Sequence, residues 1–197
     1  MKKNSDLKRR DFLKLSSAAA AAGLSGRIRD SSAAGPQNII EEAAEKVGSL
    51  PRIKLGYSNR EVSIIIGSGD MASSAREAGI LCGMNYWHKA NKWSDGAPES
   101  IKKNREAHYC QVTVDRVGGS HYTGHFDAGE HYAYVKNAVR ETGLGYFDDM
   151  QLHYGYHSRA DLKQNRGFVR AFDRLKKEGL VKHICLSQHS YAGSGRV

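Results

Sequence analysis

Residues 146–153 read YFDDMQLH, and the stretch just before them sets the fold question. In 128–142, Tyr132, Val135 and Val139 recur at helical spacing, so a helix leads directly into this short, largely apolar strand. The same pairing recurs on both sides. A helix is expected at 72–82 before a strand at 84–88, and another at 98–106 before a strand at 108–114. In GFVRAFDRLKKEG (167–179), Phe168, Phe172 and Leu175 line one helical side ahead of the strand VKHICLS (181–187). Upstream, RIKLGYSNREVS suggests a small hairpin, followed by a β-branched run from Val62 to Ile66 that Gly67 and Gly69 close. Five strands result, each joined to the next by a helix. Repeated βα units of this kind imply a parallel sheet, because each return to a parallel neighbour needs a crossover.

Both an open doubly wound sheet and an eight-stranded barrel fit this alternation. The turn Gly67-Ser68-Gly69 is not a dinucleotide fingerprint, since no third glycine follows at the required step and no acidic residue closes a second strand. The chain of 197 residues, 40% hydrophobic and 26% charged, has the composition of one ordinary soluble domain. Its formal charge of +9 is unevenly placed: residues 1–34 carry eight basic against three acidic side chains. The remainder shows no basic run interleaved with aromatics, so nucleic acid is not expected as a partner. Cys82, Cys110 and Cys185 lie far apart without a CxxC pair and read as buried free thiols.

The leader has its own reading. A basic start, a mildly apolar stretch from Phe12 to Leu24 and small residues ending SSAAG make the layout of a secretory signal. Within it, KRRDFLK resembles the twin-arginine motif, with Lys8 where Ser or Thr is usual. Residues 1–34 are therefore expected to be a twin-arginine signal peptide cleaved after Ala34, which implies the twin-arginine export machinery as a partner and a periplasmic or otherwise exported product. The apolar run is too short to span a membrane stably. Residues 35–52 read as a linker with a short helix in NIIEEAAEKV, and 53–197 as the barrel-like domain.

Four segments occur in a telling order: KLGYSNREVSIIIGSGDM, REAGILCGMNYWHKA, TGLGYFDDMQLH and LKKEGLVKHICLSQHS. In order and spacing they resemble the aldo-keto reductases, which show a sealing hairpin and first strand, then strands of the type GINYFDTA, DYIDLYQLH and GKVRAIGVSN. The resemblance implies an α/β fold, a TIM (β/α)8 barrel of aldo-keto reductase type, with about five βα units present in this chain. Such barrels typically run to ~250 residues, so a C-terminally incomplete member is the expectation. The resemblance also implies NADP or NAD bound at the C-terminal ends of the strands and a small-molecule carbonyl or sugar-like substrate.

In that family a tyrosine protonates the carbonyl that the cofactor reduces, an aspartate and a lysine tune it, and a histidine orients the substrate oxygen. By resemblance, the aspartate position falls on His88, the tyrosine on Trp93 and the lysine on Asp115, with Arg116 beside it. The histidine is kept as His153. The Ser-Asn pair that holds the nicotinamide amide becomes Ser187 and Gln188. Trp93 has only an indole N–H and cannot cycle a proton as a phenol does. Asp115 puts an anion where a cation should lower the donor's pKa. The tetrad is therefore altered.

A rebuilt site is chemically open: His88 could shuttle protons with Asp115 orienting it, and Lys89 or Arg116 could stabilise negative charge. The alternative is a non-catalytic small-molecule or sugar-binding protein on the same barrel, with Trp87, Trp93, Tyr154 and Tyr156 as stacking surfaces. A third reading draws on the loop 118–131, where His121, His125, His131, Asp127 and Glu130 could form a metal-dependent hydrolase site. A mobile polar loop is the default there, and no metal is assigned. Asp148 and Asp149 read as residues that satisfy local backbone and loop partners.

Overall fold

A computed structural model describes residues 41, 44–45, 48–93, 95–114, 128–152 and 166–186. These residues fall into two compact units, one drawn from residues up to Gly67 with Met71–Tyr86, the other from Ser68–Asp70 with residues from Trp87 onward.

The first unit contains a hairpin. Strands β1 (Arg52–Leu55) and β2 (Arg60–Ser63) pair antiparallel with Ile53 opposite Val62. Asn59, in the left-handed region at φ 53°, turns the chain between them. The β-branched run does not continue as one strand. The strand ends at Ser63: the Ile64 N–H still meets the Pro51 carbonyl in the same register, but Pro51 has no N–H to carry the ladder on, and the Ser63 hydroxyl bonds the Ile65 carbonyl. Asn85 fixes this end, with its Oδ1 accepting from the Ser63 N–H at 2.7 Å and its Nδ2 donating to the Glu61 carbonyl. Helix α1 (Ser73–Leu81) follows the expected position, and Gly79 lies close against the Met84 side chain. Within the expected linker helix, Glu41, Ala44 and Glu45 are helical.

The larger sheet has five strands in the order β3 (Gly67–Ser68), β4 (Tyr86–His88), β5 (Tyr109–Val114), β6 (Phe147–Leu152) and β7 (Val181–Leu186). Spatial order therefore follows chain order. A doubly wound sheet reverses direction at a switch point, whereas a barrel winds one way, so this sheet is a run of five barrel-type βα units. Helices α2 (Glu99–Lys103), α3 (Ala128–Thr142) and α4 (Arg166–Lys177) fill the later crossovers. The expected 98–106 helix is broken: α2 stops at Lys103 and Arg105–Ala107 form a 3-10 turn. The barrel's first strand is β3, not Val62–Ile66.

Strand alternation divides the sheet into two faces. One carries Val112, Val114, Met150 and Leu152, all fully buried, and meets the helices. Helix α4 buries Phe168, Phe172 and Leu175 as the sequence predicts. Helix α3 buries His131, Val135, Ala138 and Thr142, a face turned by about one residue from the Tyr132/Val139 stripe, because His131 packs edge-on against Phe168 of α4 at 5.7 Å between ring centres. Tyr132 instead lies on the surface, its hydroxyl donating to Glu178 beneath the Arg174 guanidinium.

The opposite face is layered. Tyr109, Phe147 and Val181 form a buried layer at the N-terminal ends of the strands. Gln111, Asp149 and His183 stand in register above it, and Thr113, Gln151 and Cys185 above those. Asp148 points the other way and is satisfied locally, as expected. It accepts the Cys110 N–H at 2.9 Å and the Arg105 guanidinium at 2.8 Å. Asp149 departs from expectation: the one-residue alternation sends it inward, where it accepts from the Tyr109 hydroxyl at 3.2 Å. All three cysteines are free, with Cys82 and Cys110 buried and Cys185 half-buried. Among the described residues no helix is long and apolar enough to cross a membrane.

Candidate functional site

The C-terminal ends of β3 to β7 are where a barrel of this kind places its chemistry. His88 closes β4 on the inward face. Its Nε2 lies 2.9 Å from Gln151 Oε1 on β6, and the Thr113 hydroxyl of β5 donates to the same oxygen at 3.1 Å. Period-two alternation explains the meeting, since Thr113 and Gln151 are in register on neighbouring parallel strands.

The loop after β4 is shaped by backbone packing. The Gly69 N–H donates to the His88 carbonyl at 2.7 Å, and a Cβ at Gly69 would collide with the Lys89 carbonyl oxygen. Glycine permits this close approach. Lys89 is held in the left-handed region at φ 54°, a conformation a non-glycine residue keeps only when its surroundings impose it. Its ammonium lies 3.9 Å from the Asp70 carboxylate. Two residues on, Asn91 grips the end of β5 like an added strand. Its Oδ1 accepts the Thr113 N–H at 2.9 Å, and its Nδ2 donates to the Thr113 carbonyl at 3.2 Å and to Tyr134 of α3 at 2.8 Å.

Trp93 lies in the core, 3% exposed, edge-on to Trp87 with ring centres 5.9 Å apart. Trp87 is fully buried and its indole N–H donates to His108 Nδ1 at 3.1 Å. Neither tryptophan offers a face on which a sugar could stack. Of the other expected site residues, His153, Asp115, Arg116, Ser187, Gln188, Tyr154 and Tyr156 lie outside the described residues. So do His121, His125 and Asp127 of the histidine-rich loop. Its His131 is buried in α3, and among the described residues no group of three or more metal-ligating side chains forms.

Below the strand ends, burial pushes the Asp149 carboxyl up to about 7, against the opposing pull of hydrogen bonds from Gln111 and Tyr109, and the neighbouring Asp148 adds to the rise. The Cys185 thiol is also raised, first by burial and then by Asp149, while a hydrogen bond from Gln151 works against it. At the opposite ends of the strands, the Tyr146 ring is sandwiched between Arg105 and Lys182, each 3.9 Å from its centre. Burial and a hydrogen bond to Glu106 push its hydroxyl to about 12.

Thr113, Gln151 and Asn91 were not singled out by sequence reasoning, and Asp149 was read only as satisfying local partners. One signal was available for Gln151: it stands two residues before His153 in sequence, the spacing at which a strand repeats its faces. Asn91 left none, because its partner lies 22 residues away.

By sequence the chain matches no family model and no curated protein. Its fold is similar to solved aldo-keto reductases. The holo form of one from Bacillus halodurans is 19% identical, with a TM-score of 0.53 over 71% of this chain and 50% of that one. A Pseudomonas aeruginosa protein classed with the aldo-keto reductases is 17% identical, with a TM-score of 0.54 over 72% and 62%. One from Brucella melitensis is 17% identical, with a TM-score of 0.50 over 73% and 56%. The chain thus spans half to about three-fifths of the length of these structures. The fold is that of a partial aldo-keto-reductase-type barrel.

Proposed function

We propose that this chain is an aldo-keto-reductase-like, NAD(P)-linked oxidoreductase with an altered tetrad, exported by the twin-arginine route and acting on a small carbonyl or sugar-like molecule. The observation that carries this reading is His88. It closes β4 at the strand end, in a barrel-type sheet whose fold matches solved aldo-keto reductases, at the position where the sequence resemblance puts the family's aspartate.

His88 is only partly buried, and among the described residues its Nδ1 has no partner. A ring of this kind can hand a proton to, or orient, a carbonyl oxygen near neutral pH. Lys89, with its ammonium tethered to Asp70, supplies positive charge beside it. The described strand end therefore fits the carbonyl half of such a reaction. A nicotinamide cofactor, when bound, would supply the hydride; the residues expected to hold its amide, Ser187 and Gln188, follow β7 directly in sequence. Trp93, which the sequence resemblance puts at the family's tyrosine position, has its ring in the core, so in this proposal proton supply falls to His88 or His153 and not to a phenol.

The test is calorimetric titration of the folded chain with NADPH and NADH, followed by carbonyl reduction assays on wild type and His88→Ala. Micromolar binding of either cofactor, with turnover lost in the variant, supports the proposal. Absence of binding to both cofactors overturns it. Retained binding of small polyols under those conditions would favour the non-catalytic alternative.

A further inference from the structure

Gln151 sits at the centre of a row of side chains that crosses four parallel strands: His88 on β4, Thr113 on β5, Gln151 on β6 and Cys185 on β7. We infer that Gln151 is a positioning residue for His88: its carbonyl oxygen holds the imidazole as the Nε2–H tautomer and leaves Nδ1 as the nitrogen that faces a bound molecule. This deepens the proposed function by assigning the working atom of that site, and it rests on that reading only for its consequence, not for its geometry.

The argument runs through the hydrogen-bonding capacity of each group. An amide oxygen accepts and never donates. With Gln151 Oε1 at 2.9 Å from His88 Nε2, the contact is a hydrogen bond only if Nε2 carries the proton. A neutral imidazole then has its lone pair on Nδ1. The Thr113 hydroxyl occupies the second acceptor site of the same oxygen, and the amide end hydrogen-bonds Cys185, so both ends of the Gln151 head group are engaged. A flipped amide would aim its NH2 at His88 Nε2 and reverse the tautomer.

Thr113 is in turn immobilised from behind. Asn91 closes two hydrogen bonds on its backbone and is itself held by Tyr134 of α3. The orientation of the imidazole thus depends on a chain of neutral groups running from the helix layer to the strand ends. The carbonyls of His88 and Lys89 pack against Gly69, which fixes the other side of the histidine. A neutral partner sets the tautomer without stabilising the imidazolium as a carboxylate does. This is a physical difference from an aspartate–histidine arrangement.

The experiment is nitrogen-15 NMR of the imidazole rings in the full chain, above the ordinary histidine titration range, with His88 assigned by its loss in His88→Ala. The expected wild-type signature is a protonated Nε2 with a slowly exchanging proton and a bare Nδ1. Gln151→Leu should abolish the slowly exchanging signal, and Gln151→Glu, which keeps an acceptor, should restore it. A wild-type Nδ1–H tautomer overturns the inference, as does an unchanged Nε2–H signal in Gln151→Leu. Should Gln151→Leu fail to fold, the wild-type tautomer and the Gln151→Glu spectrum still decide the matter. The readout is independent of activity: an Nε2–H tautomer in a protein that binds no nicotinamide would leave this inference standing and remove the reductase reading.

Discussion

Replacing Asp149 with Asn should stabilise the protein, and only above mildly acidic pH. Asp149 is 5% exposed on the inward face of β6, between Gln111 and His183 in register. One oxygen accepts from Tyr109, and the other has no hydrogen-bond partner among the described residues. Burial raises its pKa from 3.8 to about 7. The folded state therefore binds a proton that the unfolded chain has released across this window, so folding stability falls as pH rises from about 4 to about 7. At 1.36 kcal/mol per unit, a rise of about three units corresponds to a cost of about 4 kcal/mol once both states are ionised. Asn has nearly the same shape, still accepts from Tyr109 and never ionises.

The two proteins should thus be close in stability near pH 4. The variant should lead by an amount that grows to about 4 kcal/mol near pH 8. Urea unfolding of both proteins at half-unit pH intervals measures this directly, with m-values checked for constancy. A stability difference independent of pH between about 4 and 8 would refute the reasoning, because it would mean that the carboxylate is solvated or paired in the native state.

Two further outcomes follow from the same structure, and a third tests the export proposal drawn from the sequence. Gly69→Ala should cost about 3 kcal/mol, since the new methyl meets the Lys89 backbone and not a flexible side chain, and should perturb the His88 NMR signals; a thermal melt within about one degree of wild type would contradict the packing. Asp148→Asn should cost roughly 3 kcal/mol or more by leaving the buried Arg105 guanidinium without its anion, read as a lowered urea midpoint; a loss below about 1 kcal/mol would show the pair to be solvated. Replacing Arg9 and Arg10 with Lys should retain the precursor in the cytoplasm of a host with an active twin-arginine route; export at the wild-type rate, seen by fractionation, would sink the signal assignment.

The sequence by itself determined the repeated βα alternation, and with it a parallel sheet, while the one-way winding was settled by the strand order of the fold. The apolar faces of 167–179 and the strands at 109–114, 147–152 and 181–186 are set by local periodicity, which depends only on a residue's near neighbours. It also carried the segment order that resembles the aldo-keto reductases, and it placed His88 at a strand end. It misplaced the first barrel strand, because Val62–Ile66 has the composition of a strand while in the fold β2 pairs with β1 in the hairpin and ends at Ser63, and the larger sheet begins at Gly67. Only tertiary structure decided that Trp93 is core and not rim, that Asp149 faces inward beside Tyr109, and that Gln151 meets His88 across 63 residues of chain. The physical reason is the same in each case. Periodicity tells which face of an element a residue is on, but the register and winding of neighbouring strands decide what stands opposite it.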